Sequence, residues 1–353
     1  MSIETEHLAS QPIFFERNRV FRVYTGGKLF HGLFGDSAVD NDRPEEWIAS
    51  DVRALNRGND PDCREGISKL KGTDIYFDEL LAQEKQLLLG PRQGLNMLIK
   101  LLDSAIRLPM QTHPDKAFSK KHLSSNYGKT EAWLILAIRE DACVYYGFKD
   151  RITRAQFEAA LDAGGDAIMA LTQRVPVCVG DVFLVPAGMI HAIGKGCLIL
   201  EIQEPTDFTI QPEEYCGSYR LNSEEQFLGL DPQTALKCFD FDMFGQAALQ
   251  RGRRTPTLLY EAETVKKECL IGANDTDCFS LNRLTVTGGT VTALPGVSVY
   301  VVTAGSGTLQ MTGYSRKIQA GDYFFLPHSV DGKCSLSADG TMEIVECLPP
   351  VAG

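Results

Sequence analysis

The sequence predicts a mainly β protein, two β-sandwich units carrying helical insertions. Short apolar runs separated by Gly, Asp, Asn and Ser turns occupy most of the chain, and strands between turns suit that pattern better than helices. A weak internal repeat points to two related units. VGDVFLVPAGMIHA (179–192) parallels AGDYFFLPHSVDGK (320–333), and each is followed by an apolar strand, LILEIQEP or MEIVECLPP. A length of 353 residues is enough for two domains that each bury a core.

The elements follow in order. Residues 20–55 alternate apolar runs with turns, as in VFRVYTGGKLF and EEWIASDV. DIYFDELLAQEKQLLL (74–89) has apolar residues at helical spacing and stops at Gly90-Pro91, so a helical insertion is expected there. NMLIKLLDS, RLPMQTH, EAWLILAI and CVYYGF return to strand patterns. Thr153 and Gln156 form a capping box for a helix through Leu161, ended at Gly164-Gly165, with a second helix to about Gln173; together these make an insertion at about 153–173. DVFLV, CLILEIQ and DFTIQ resume the strands, and Asp231-Pro232 caps a helix through Phe239. The polar, basic stretch GQAALQRGRRTPT sets a boundary near 245–256. The expected units are therefore 1–245 and 255–353, the second strand-rich throughout.

Composition excludes several function classes. Lys+Arg number 35 against 46 Asp+Glu, and a net charge of −11 argues against a phosphate-backbone binder, so no nucleic-acid partner is expected. MSIETEHLASQ lacks a basic start and an apolar run, and no apolar stretch reaches bilayer length, so neither a signal nor a membrane partner is expected. Ten cysteines are scattered singly without a C-x-x-C pair, which reads as buried thiols of a reducing, cytoplasmic compartment. Nothing in the sequence sets the oligomeric state.

One constellation carries chemistry. In Arg107-Leu-Pro-Met-Gln111-Thr-His113, strand alternation puts Gln111 and His113 on one face, an amide oxygen beside an imidazole nitrogen. Glu131 heads the otherwise apolar strand EAWLIL. His191 follows a strand and tight turn that aim it back over the sheet. Taken singly each has a plainer reading: His113-Pro114-Asp115 as a turn opening the helix DKAFSKKHL, Glu131 as a partner for Lys129. As a cluster they read as half or more of a metal site. His7, His31, His122 and His328 lack such company.

The spacing Gly180–x5–Pro186–x–Gly188–x2–His191 resembles the second motif of the cupin superfamily, which implies a jelly-roll form for both sandwich units. More narrowly, PEEWIAS (44–50), LIKLLD (98–103), QTHPDKAFS (111–119), GKTEAW (128–133), VPAGMIHAIGKG (185–196) and LEIQEPTD (200–207) together resemble type I mannose-6-phosphate isomerases. They run in family order over roughly 20–240; the C-terminal portion is similar at fold level only. The resemblance implies a zinc site at Gln111, His113, Glu131 and His191, although ligand type alone also admits cobalt, manganese or iron. In the second repeat Gly332 stands where His191 stands in the first, so that copy is expected to lack metal.

The implied reaction interconverts mannose 6-phosphate and fructose 6-phosphate through an enediol, with a metal polarising the sugar oxygens and a positioned base moving the proton. Alternation places Glu201 on one face with Ile199 and Gln203, directed into the barrel, where burial raises a carboxylate's pKa. The resemblance supports Glu201 as acid or base, matches Asp207 to another active-site acid and Lys129 to a phosphate-contacting lysine. A supporting role for Glu201 or Asp207, orienting ligands or Lys129, is the alternative. Two positions depart from the family: Gln211 stands where an arginine serves catalysis and the anionic substrate, and Pro109 replaces a serine. Gln211 offers no guanidinium fork to phosphate, which leaves Lys195, Arg107 or Arg220 as substitutes or weakens phosphate recognition. Two other functions stay open: an isomerase of an unphosphorylated or differently modified sugar, and a metal-dependent sugar-binding protein without turnover. Trp133 and Tyr145-Tyr146 read as core aromatics rather than sugar-stacking faces, and the 153–161 helix as a cover for the pocket.

Overall fold

The computed structural model describes residues 3–60 and 62–351, with strand outweighing helix, 36% against 20%. Two antiparallel seven-stranded sheets dominate. In the first, neighbours run Arg253–Arg254, Val182–Val185, Glu131–Ile138, Cys197–Gln203, Leu98–Asp103, Glu45–Ile48 and Arg19–Val20. In the second they run Ile13–Phe14, Tyr323–Leu326, Ser298–Ala304, Thr341–Leu348, Ser280–Thr287, Val265–Ile271 and Thr257–Ala262. The orders match place for place, so the Gly-Asp repeat in sequence is a repeat of topology. A smaller sheet completes each sandwich, Cys143–Phe148 being central in one and Ser306–Met311 paired with Tyr314–Gln319 in the other.

Two-residue alternation divides the apolar side chains between layers. Ile199 faces into the first sandwich with Trp133, Ile135 and Phe183. Tyr300, Val302, Phe324 and Ile344 fill the second. Leu200 and Ile202 point the other way, into a shared core with Val299, Val301, Phe325 and Val345. The units also exchange edges: Ile13–Phe14 pairs with Tyr323–Leu326, while Arg253–Arg254 pairs with Val182–Val185. Each buried aliphatic side chain is worth about 1.5–3 kcal/mol, and whole domains are stable by only about 5–15 kcal/mol. A fragment ending at residue 245 uncovers Ile99, Leu101, Leu134, Leu200 and Ile202 together. That fragment is expected to show no cooperative near-UV thermal transition; a sharp one would mark the first unit as self-sufficient.

Where the elements differ from the sequence pattern, a local cause is visible. The 74–89 helix is two helices, Phe77–Gln83 and Lys85–Leu89, broken where Glu84 turns inward to accept a 2.7 Å bond from Thr5. The polar stretch after 245 is not an open linker. It forms the Gly245–Gly252 helix, whose Ala248 enters the first unit's core, and then the Arg253–Arg254 edge strand. Gly252 is demanded there, because a Cβ would lie 1.9 Å from the Tyr146 hydroxyl. The helix expected to reach Gln173 stops at Leu171, and Thr172–Pro176 is strand. The helix after Asp231 changes to a 3₁₀ turn over Leu236–Cys238. RLPMQTH and DFTIQ are joined by single bridges, Gln111 to His191 and Thr112 to Ile210, rather than long ladders. Pro109, Pro114 and Pro212 remove donors beside these bridges.

A metal-ligand cluster beside a charged cavity

The bridges that hold the 111–113 segment also aim it. Gln111 and His191 exchange 2.9 Å backbone bonds, Thr112 N donates to Ile210 O at 2.9 Å, and Gly188 N donates to His113 O at 2.9 Å. Arg107 and Met110 N both bond the buried Glu213 carboxylate, fastening the approach to this segment. Gln111 and His113 therefore face the same side, toward His191 and the first residue of the Glu131–Ile138 strand.

The donors converge. His113 Nε2 lies 3.1 Å from Glu131 Oε2, and His191 Nε2 lies 3.4 Å from Glu131 Oε1. The Gln111 amide is 3.3 Å from His191 Nε2. Ligand atoms of His113, Glu131 and His191 all fall within 4.8 Å of one another, in full burial. Each histidine donates its other nitrogen to a carbonyl, His113 Nδ1 to Phe208 O at 2.8 Å and His191 Nδ1 to Met189 O at 2.9 Å. That tautomer leaves both Nε2 lone pairs on the cluster side. Burial, reinforced by the Lys129 ammonium, drops the His113 pKa to about 3. Burial also lowers that of His191, against the pull of Glu131, so both rings are neutral donors at physiological pH. Burial opposes ionisation of Glu131, yet the Lys129 ammonium holds it well below the usual carboxylate range.

This donor set fits a divalent transition metal. Zinc takes imidazole and carboxylate ligands at about 2.0–2.2 Å, and Glu131 oxygens lie 3.1 Å from one Nε2 and 3.4 Å from the other, near enough for all three side chains to meet one ion. The Lys129 ammonium contacts the same donors, bonding Glu131 and lying 2.8 Å from His113 Nε2, so a metal ion and this ammonium compete for them. Lys129 is held by its loop: Glu204 accepts from Gly128 N and Thr130 N, and Thr206 Oγ1 donates to Gly128 O at 2.7 Å. At Gly128 a Cβ would meet Pro114 O at 2.6 Å, so only glycine lets the two loops approach.

Gln111 and Lys129 form part of the wall of a cavity of about 490 Å³. Glu201 and Asp207 line it too, together with a group that sequence reasoning left without a role: Arg22, Tyr24, Glu45 and Lys100. Lys100 sits 3.7 Å from Glu45, 3.7 Å from Glu201 and 3.6 Å from Asp207. Arg22 reaches Glu45 at 3.1 Å and both oxygens of Asp207 at 3.0 Å. The signal for these residues was present, since a lysine inside the apolar run LIKLLD is as anomalous as the glutamates already singled out. Despite burial, Arg22 and Lys100 hold Glu45 down to about 2. Glu201 behaves oppositely: burial and the Glu131 charge push it up to about 7, against Lys129 and Lys100. The Trp133 indole N–H spans the two carboxylates, 3.0 Å from Glu131 and 3.2 Å from Glu201.

Other sequence candidates lie elsewhere. Gln211 lines the cavity, its amide donating to Glu225 O at 3.0 Å. Arg107 is bound to Glu213, Arg220 to Glu214 at the surface, and Lys195 is exposed outside the cavity wall. Trp133 and Tyr146 are fully buried, and the Arg154–Ala163 helix packs through Phe157 on Phe148 and Phe239 rather than over the cavity.

No protein-family model matches the chain. A probable mannose-6-phosphate isomerase of Bacillus subtilis, GmuF, is 30% identical over 246 residues, which are 67% of this chain and 72% of that protein. The chain belongs to the mannose-6-phosphate isomerase family. The family's fold extends across nearly the whole molecule: a crystal structure of mannose 6-phosphate isomerase from Bacillus subtilis aligns with a TM-score of 0.76 at 23% identity, covering 95% of this chain and 99% of that one. A mannose 6-phosphate isomerase bound with zinc and yttrium aligns with a TM-score of 0.69 at 13% identity, over 96% and 99% of the two chains. Among the described residues no helix is long and apolar enough to cross a membrane.

Proposed function

We propose that the protein is a zinc-dependent isomerase interconverting mannose 6-phosphate and fructose 6-phosphate, with His113, Glu131, His191 and Gln111 as metal ligands. The observation that carries this is the meeting of a neutral-histidine donor set with a carboxylate of near-neutral pKa at one cavity. Bound at those donors, zinc supplies a Lewis acid that polarises the sugar's carbonyl and hydroxyl oxygens.

The chain's own groups do the rest. Moving a proton between C2 and C1 needs one base that is free to gain and lose it near neutral pH. Glu201 meets that need, with a pKa of about 7 and, among the described residues, Trp133 and the more distant Lys100 as its side-chain partners. Both oxygens of Asp207 are held by Arg22, and one also accepts the Leu55 N–H, which suits a positioning role that steadies Arg22 and Lys100. Lys129 lines the cavity while bonded to Glu131, and a metal ion taking that carboxylate would leave its ammonium to an oxygen of the substrate. Ten free thiols, most of them buried, favour a reducing, cytoplasmic location. The partner implied is a small sugar phosphate, with no nucleic acid or membrane involved; the net charge of −11 supports the first exclusion.

A second reading, isomerisation of an unphosphorylated sugar, is favoured by the neutral Gln211 in the cavity wall. Metal analysis of the purified protein, paired with assays on mannose 6-phosphate and on mannose, separates the two. Zinc near one equivalent and turnover of the phosphorylated sugar alone are expected. Turnover of mannose at equal or greater kcat/KM would select the second reading, and a chain that neither binds zinc nor converts either sugar would remove both.

A further inference from the structure

We propose that Arg57 forms an anion subsite at the mouth of the cavity and grips the phosphate of the substrate, an inference that rests on the sugar-phosphate isomerase reading. Four cationic side chains line the cavity, Arg22, Arg57, Lys100 and Lys129. Two are spent on carboxylates and the third sits at the metal donors: Arg22 is paired with Glu45 and Asp207, Lys100 sits among three carboxylates, and Lys129 is bonded to Glu131. Arg57 differs: it is exposed, and its partner is the Tyr219 phenol, which in turn donates to Glu225 at 2.7 Å. Tyr219 thus links this guanidinium to the Glu225 carboxylate.

Position and rigidity support the same role. Arg57 borders both the main cavity and an adjoining surface depression, as does Asn222. The loop that carries it is built rather than loose. Leu55 N donates to Asp207 at 2.9 Å, Arg22 donates to Asn56 Oδ1 at 3.1 Å, and Asn56 and Asn59 both donate to Glu65. The groups that frame Glu201 therefore also set where Arg57 stands. A phosphate monoester carries about −1.5 to −2 charge at neutral pH, and it stays partly solvated while the reacting carbons go inward. An exposed guanidinium fork at the mouth suits that end of the substrate, whereas Gln211 has given its amide to Glu225 O. The carboxylates of Glu224 and Glu225 on the same rim would repel an unpaired phosphate, so a cation there is needed for any anion to enter.

Arg57→Ala and Arg57→Lys, assayed with mannose 6-phosphate and with inorganic phosphate as competitive inhibitor, test this. For Arg57→Ala the expected result is a KM raised roughly 10- to 100-fold, the range for a lost charge-assisted bidentate contact, with kcat within about threefold. Inhibition by inorganic phosphate should weaken in parallel, and the lysine variant should recover only part of both. Because Arg57 is exposed, the thermal midpoint should stay put, which separates the effect from unfolding. Wild-type turnover of mannose 6-phosphate with unchanged KM and phosphate inhibition in Arg57→Ala overturns the subsite alone. A wild-type protein inert on mannose 6-phosphate overturns the isomerase reading and this inference with it.

Discussion

Replacing His113 or His191 with alanine is expected to abolish bound zinc and to lower kcat/KM at least roughly a thousandfold, since a Lewis acid at a reacting oxygen is worth several kcal/mol and each 1.36 kcal/mol is tenfold in rate. Each ring provides one of the few donors in the cluster and makes one bond to a carbonyl, Phe208 O or Met189 O. Losing that bond costs about 1–3 kcal/mol, less than the usual stability of a domain, so the fold should persist with a lowered midpoint. His122, at the end of the Lys116–His122 helix and outside the cluster, is the control; His122→Ala should keep both metal and rate. Metal content and turnover equal to wild type in either cluster variant would dismantle the mechanism.

What could be read from sequence followed from periods and from clusters. The strand alternation that put Glu201 inward beside Ile199, opposite Leu200 and Ile202, is how the two cores divide. The capping box at Thr153 and Gln156 opens its helix. What could not be read depended on register between distant strands. Lys100 stands directly across from Glu201 and from Trp47, and neither pairing has a local signature. The second unit makes the same point. Register places Glu346 where Glu201 stands, with Asn282 across from it on one side and Tyr300 on the other. There the buried glutamate is satisfied internally, by Lys267 at 2.6 Å, Asn282 at 2.7 Å and Tyr300 at 3.1 Å. Ser298 heads the strand that corresponds to the one headed by Glu131. One topology thus holds an inward carboxylate twice, and only its neighbours decide whether that carboxylate is a strut or a group left free to exchange a proton. The exchange of edge strands likewise escaped sequence reasoning, because Ile13–Phe14 and Arg253–Arg254 are too short to announce their partners.

Glu201→Gln should separate the cost of burying this carboxylate from its use. As the base, Glu201 must be ionised, so kcat should fall about 10²- to 10⁴-fold in the glutamine variant while bound zinc is retained. In wild type the acid limb of the kcat/KM profile should lie at or below about pH 7, because a bound dication pulls a carboxylate's pKa down from the metal-free value. Stability should move the other way. In the metal-free protein the folded pKa is about 7 against an ordinary 4.5. Below 4.5 the group is protonated in both states. As pH rises through the interval the unfolded chain loses its proton first, so stability drains away until the folded group has ionised as well. Glutamine carries no such penalty, and the metal-free variant should be more stable than metal-free wild type at pH 8, by at most on the order of 3 kcal/mol, with the difference shrinking toward pH 5. Lys100 trims the gain, since it loses one of its three carboxylate neighbours. Midpoints of the two metal-free proteins that run parallel between pH 5 and 8 would mean that Glu201 is solvated like any surface acid, and a glutamine variant with wild-type kcat would mean that another group moves the proton.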